Sequence, residues 1–239
     1  SDRIMIEKMF GATPTAIYSL AYSLGVVMSI VYTAITDSLV PWIYQQCQAE
    51  TYERIGPLAS RITVLVALIT LMPIAMAPEL VAIMGPQDYA PAMWGVPPVA
   101  VASFLSFFCT LFSSIEFYFE KTKFVMVASC VSAIINVLLN LLLMPIFGYL
   151  AAAYTTVICY VILTLAHYGF MQLAYHANVG RGAVYNRKVL VFITLALVLV
   201  STALTLLYPY PAARYVFVTI LLIIGAIRWK SIVALVRHI

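Results

Sequence analysis

Long apolar stretches recur along this chain, spaced about 20 to 30 residues apart by short polar joints that hold most of the charge. A bilayer core of about 30 Å takes roughly 20 apolar residues per helical crossing. Hydrophobic residues make up 64% of the chain and charged residues only 9%, against roughly 25% charged in soluble domains. These features predict an all-α, polytopic membrane helix bundle, with a function tied to lipid or to something that crosses it.

Seven candidate spans can be read, at about 14–40, 61–77, 92–118, 124–145, 149–174, 189–208 and 212–229. The first and third are longer than one crossing needs and should tilt or extend past the bilayer. Pro73 and Pro78 should make the second irregular, and Pro41 and the Pro97-Pro98 pair should bend their helices. Residues 45–60 read as a polar extension of the first helix, ended by Gly56-Pro57. Residues 77–91 are too short to span. Pro78 suits a first turn and Gly85-Pro86 an end, which predicts a short helix at the outer interface. Residues 175–188, with Gly180 and Gly182, read as a linker. Beyond it the last two spans are almost pure Leu, Val and Ile, and are expected to be peripheral, lipid-facing helices on a five-helix core. Ser1-Asp2-Arg3 runs straight into Ile4-Met5-Ile6. That reads as the tail of a helix cut in its middle and predicts upstream sequence.

Basic residues near helix ends set topology, and the cytoplasmic joints carry the excess. Arg54 and Arg61, Lys121 and Lys123, then Arg181, Arg187 and Lys188, and finally Arg228, Lys230 and Arg237 fall on one side if the spans alternate. The opposite joints hold Arg214, and the first segment adds Arg3 and Lys8. The better-charged side, with the carboxyl end, is therefore expected in the cytoplasm. The net charge of +4 follows from this topology, so no nucleic-acid partner is needed to explain it. A basic face also attracts anionic lipid. Cys47, Cys109, Cys130 and Cys159 lack metal-ligand spacing and read as packing residues.

Polar side chains inside spans are expensive and mark candidate sites. Asp2 and Arg3 sit on the first segment, where a local ion pair is the simpler role. Asp37 suits snorkelling near a helix end. Glu116 and Glu120 share one helical face; Glu120 suits the surface, and Glu116 is deep enough to line a cavity. Asn136 and Asn140 stand four apart on an otherwise apolar helix. They can bond neighbouring helices together or offer carbonyl oxygens to a small hard cation. Thr155 and Thr156 follow early in the next helix, after Pro145-Ile146-Phe147-Gly148, where that hairpin can bring a hydroxyl level with the amides. His167 and His176 suit surface or interfacial positions. No phosphate-binding glycine loop, His-Glu-x-x-His, Cys-x-x-Cys or Gly-x-Ser-x-Gly motif is present, and the acids are scattered, so no enzyme is expected.

Several segments together resemble one family. They are Asp2-Arg3 with Gly11-Ala12, Pro41-Trp42-Ile43-Tyr44, and Ala77-Pro78-Glu79-Leu80 with Met84-Gly85. Most specific is Ile115-Glu116-Phe117-Tyr118-Phe119-Glu120-Lys121-Thr122-Lys123. Asn136 to Asn140, Pro145 to Tyr149 and Ala151 to Thr156 complete the set. The chain resembles the carboxyl-terminal half of a bacterial polysaccharide flippase of the O-antigen and exopolysaccharide type, within the superfamily of multidrug extruders and lipid II flippases. The resemblance covers residues 1–175 and implies one lobe of a two-lobe fold, with residues 176–239 as a linker and two extra helices. It implies an undecaprenyl-pyrophosphate-linked oligosaccharide as substrate, alternating access as mechanism, a missing amino-terminal lobe as partner, and the bacterial inner membrane as location.

In the related lipid II flippases, a carboxylate, two side chains four apart and a threonine bind sodium. The matching positions are Asp2, Asn136, Asn140 and Thr156. Asn140 stands where those proteins carry Asp, so one charge is missing and proton coupling through Asp2 or Glu116 stays open beside Na+. Arg3 and Lys121 are the candidates for contact with substrate charge, and no other cofactor is implied. Competing readings are a cation-coupled multidrug exporter of the same fold, a membrane-embedded glycosyl ligase or polymerase, and a non-transporting scaffold. The Glu116–Lys123 segment weighs against the exporter, and the short outer joints weigh against the ligase.

Overall fold

The computed structural model describes residues 2–180 and 182–230. Arg181 and Arg237, counted above among the basic joint residues, lie outside them. The described residues form nine α-helices and no strand. They are α1 (Asp2–Phe10), α2 (Ala12–Gln48), α3 (Ile55–Ala75), α4 (Ala77–Met84), α5 (Val96–Tyr118), α6 (Thr122–Phe147), α7 (Ala151–Asn178), α8 (Arg187–Leu206) and α9 (Pro211–Ile227). Short 3-10 segments, Tyr52–Arg54 and Gln87–Trp94, precede α3 and α5. Lipid offers backbone groups no water, so each crossing must satisfy its own N–H and C=O groups, which a helix does. Hydroxyls inside the bundle follow the same logic: Thr63 and Thr70 donate to the carbonyls of Ala59 and Val66.

Six helices are long and apolar enough to cross a membrane: α2, α3 with its 3-10 lead-in, α5, α6, α7 and α8. The seventh expected span corresponds to α9, which has 17 residues, the lower bound for a crossing. The expected short helix at 77–91 is α4, with Pro78 in its first turn and Gly85 as its cap.

Proline and glycine punctuation was harder to read. The first long helix stops at Gln48, before Gly56-Pro57, which sit in the first turn of α3. The first four N–H groups of a helix need no internal partner, so Pro57 starts a helix where it was expected to end one. Pro97 and Pro98 likewise open α5 and do not bend it. Pro41, Pro73 and Pro145 lie inside helices that continue through them. The chain reverses at Gly11 and Gly148, whose φ angles of 88° and 81° lie where a side chain is strained.

Helix α5 is the hub. It packs against α7 and α2, with further contacts to α3, α6 and α8. Its aromatic ladder of Phe104, Phe107, Phe108 and Phe112 fills the main core. Helix α8 lays Leu190, Ile193, Leu197 and Leu204 into the same core beside α3, and turns Phe192, Leu195 and Leu199 outward. That one-sided burial suits a helix with lipid on its other face.

Two close approaches depend on the absence of a side chain. A Cβ at Gly25 in α2 would stand 2.3 Å from Val99 Cγ1 of α5, and one at Gly56 would stand 2.6 Å from the Val184 carbonyl oxygen. Val99 can rotate, whereas the backbone at Val184 cannot yield without moving the lead into α8. Gly56→Ala is therefore expected to cost more than Gly25→Ala, within the roughly 1–3 kcal/mol of an overpacked core. Thermal unfolding of the two variants in detergent checks the order; a Gly56→Ala protein as stable as the parent would show that the α3–α8 approach is not tight.

Candidate functional site

Five of the residues singled out in the sequence meet at one place. Helix α6 presents Asn136 and Asn140 one turn apart on one face. The reversal at Gly148 then brings the start of α7, with Thr155 and Thr156, back alongside. Helix α1 supplies Asp2 from the other side, and α2 supplies Tyr18.

The Asp2 carboxylate is the hub of this cluster. Asn140 donates its Nδ2 to Oδ1 at 2.9 Å, while the Tyr18 and Thr156 hydroxyls both donate to Oδ2 at 3.1 Å. Asn140 Nδ2 also lies 3.4 Å from Asn136 Oδ1, and Asn140 Oδ1 accepts the Thr155 hydroxyl. Asn140 and Thr155 are fully buried. One carboxylate thus faces several neutral oxygens in a largely dry setting. Among the described residues no three His, Cys, Asp or Glu gather into a metal site. A single negative charge with amide and hydroxyl oxygens suits a proton or a monovalent cation better than a doubly charged metal. In the present arrangement Asn140 turns its N–H groups to Asp2, so contact with a cation requires that amide to rotate.

No family model, curated protein or solved structure matches this chain.

The other candidates do not join the cluster. Arg3 is exposed and lays its guanidinium over the Tyr22 ring, 4.8 Å from the centroid. Lys121 is exposed in the turn before α6. It lies about 28 Å along that helix from Asn140, at 1.5 Å per residue. One pyrophosphate therefore cannot touch Arg3 and Lys121 together in this conformation. Glu116, expected to line a cavity, is completely buried instead, with His167 Nδ1 2.8 Å from its Oε1. His167, expected at a surface, is 3% exposed. The expectation failed because a histidine within an apolar run looks the same whether it faces lipid headgroups or an acid on another helix. His176 is exposed and bonds the Gly182 carbonyl, as a surface histidine would.

Sequence reading also missed two contributors. One is Tyr18, a phenol inside a span, whose need for a buried partner is the signal that points to it. Arg214 was counted only as a stray cation on the outer side. It is 2% exposed and forms a bidentate pair with Glu79 of α4, both bonds 2.7 Å. Arg214 also donates to the Ala75 carbonyl at 2.8 Å, and the Tyr215 hydroxyl donates to Glu79 at 2.9 Å. The Arg214 hydrogen bonds hold the Glu79 carboxyl below its usual range, against the opposing effect of partial burial. This cluster fastens α9 to α4 and the adjoining end of α3. At the other end of α3, Arg54, Arg61 and Arg228 border one apolar cleft with Trp42 and Trp229.

Proposed function

We propose that this chain is the carboxyl-terminal lobe of a bacterial membrane flippase that moves an undecaprenyl-pyrophosphate-linked oligosaccharide outward for surface polysaccharide assembly. The observation that carries this reading is the meeting of Asp2, Asn136, Asn140 and Thr156 around one carboxylate. Those are the positions that the resemblance to lipid II flippases had matched to a coupling cation. Asp2 and Thr156 lie 154 residues apart, so chain proximity does not bring them together.

On this reading the joints with Arg54, Arg61, Lys121, Lys123 and Arg228 face the cytoplasm. Anionic headgroups suit the cleft that Arg54, Arg61 and Arg228 border. The lipid tail of the substrate stays in the bilayer while its sugars pass between this lobe and an amino-terminal partner lobe. A carboxylate whose hydrogen bonds come from three helices (α2, α6 and α7) is suited to coupling, because occupancy by a cation changes which of those contacts are made.

The test is vectorial transport. Full-length protein in liposomes is expected to carry a fluorescent polyprenyl-pyrophosphate oligosaccharide across the bilayer under a cation gradient. This chain alone is expected to be inactive, because the path needs both lobes. Folded full-length protein that ignores the glycolipid but expels a lipophilic cation dye would replace this reading with a multidrug exporter.

A further inference from the structure

We infer that Glu116 and His167 form a second proton-binding site, separate from the Asp2 cluster, whose proton is released when the seam between α5 and α7 opens. The inference of proton binding is independent of the flippase reading; its coupling to transport rests on that reading.

The pair has the features of such a site. Glu116 on α5 and His167 on α7 are 0% and 3% exposed, and 2.8 Å separates Oε1 from Nδ1. With one proton beyond neutral imidazole and carboxylate, the pair is neutral overall, as an ion pair or as acid beside imidazole. Without it a lone anion is left in the core, which is unfavourable. The packed conformation therefore holds the proton.

The same conformation leaves something unsatisfied. Glu116 Oε2 is buried and has no hydrogen-bond partner among the described residues. One helical turn back, Phe112 of α5 meets the Tyr168 ring of α7, and Tyr168 accepts from Gln172 Nε2 at 3.0 Å. Gln172 Oε1 is buried without a partner as well. Tyr168 and Gln172 are four apart and share the face of α7 turned to α5. Two orphaned acceptors on one seam mark where water or a donor would be welcome. An opening that hydrates Oε2 stabilises the carboxylate, and the proton then leaves to water; closing reverses the step. No other bond is made or broken.

No other charged side chain bonds to the pair among the described residues, and Glu53 near Tyr175 and Glu120 and Lys121 just past α5 are exposed. Cys109 on α5, Tyr160, Tyr168 and Tyr175 on α7, Tyr44 and Cys47 on α2, and Tyr185 ahead of α8 are the titratable groups nearby. All are ordinarily neutral near pH 7. Asp37 on α2, Arg61 on α3, Lys123 on α6, and Arg187 and Lys188 on α8 are exposed. Asp2 accepts a hydrogen bond from α7 at Thr156. That is about 16 Å along the helix from His167, at 1.5 Å per residue. Helix α7 therefore carries contacts to both sites and can link them.

Infrared difference spectra of the protein in nanodiscs, taken across pH, should show a titrating band, carboxyl C=O or imidazolium ring according to where the proton sits, that Glu116→Gln removes. His167→Gln, which keeps a hydrogen-bonding side chain, should change the pH dependence of that band. Spectra of Glu116→Gln identical to the parent at every pH would overturn the inference. If that variant does not fold, wild-type protein with ¹⁵N-histidine provides the measurement, since the chain has only 3 histidines. A His167 ring whose nitrogen shifts are constant from acid to alkaline pH would overturn it equally. In the liposome assay, Glu116→Gln is expected to lose at least about tenfold of the response to a pH gradient, equivalent to 1.4 kcal/mol. Loss of transport in every protein, wild type included, with the titrating band intact, would count against the flippase reading and leave the proton site standing.

Discussion

Glu79→Ala is expected to destabilise the bundle by about 3–5 kcal/mol, the cost of removing one partner of a buried ion pair. The asymmetry of the pair sets this order. Arg214 is 2% exposed and cannot shed its proton, so without Glu79 it becomes a stranded cation. Glu79 is 24% exposed and can rehydrate or protonate, so Arg214→Ala should cost less, about 2–3 kcal/mol. The double variant should cost less than the sum, because both single changes break the same contact. Acid should mimic the effect. The folded carboxyl titrates below its ordinary value, so the contribution is complete above about pH 4.3 and is lost as pH falls through the lower folded value. Thermal unfolding in nanodiscs at neutral and acid pH tests both points. A Glu79→Ala protein that melts with the parent at pH 7 would mean that α9 is held by apolar packing alone.

Asp2→Asn should sharply weaken cation-dependent stabilisation while leaving the fold largely intact. The amide keeps an oxygen for the Tyr18 and Thr156 hydroxyls, so those two hydrogen bonds survive. The charge does not survive. A unit charge about 4 Å away is worth about 4 kcal/mol at an effective dielectric of 20. Asp2 is only half-buried, so a loss of about 10–100-fold in cation affinity is the expected scale. Ligand binding raises stability by RT ln(1 + [L]/Kd), so exchanging choline for sodium should raise the melting temperature of wild type and raise that of Asp2→Asn much less. An equal rise in both would take the cation away from Asp2.

How much of this was legible beforehand depends on the range of the interaction. Apolar runs longer than a bilayer is thick have one stable solution, so the helices could be placed from their lengths, including the short α4 between Pro78 and Gly85. Proline is ambiguous locally. Its missing N–H is harmless in a first turn and costly later, and only the position of the preceding helix end separates Pro57 and Pro97 from a helix breaker. The Asn136–Asn140 stripe was visible because a turn of helix repeats every 3.6 residues. Its meeting with Asp2 was suggested by resemblance and could not have come from periodicity.

The sequence by itself determined an all-α bundle with helices apolar enough to cross a membrane, because hydropathy and helical geometry act within a few turns. Which buried polar groups pair across the bundle was left to the tertiary structure. Glu79 with Arg214, Glu116 with His167 and Asp2 with its ring of donors are joined over 135, 51 and up to 154 residues. A buried charge takes its partner from whichever helix packs beside it, and that packing is decided by side-chain shape along whole helices.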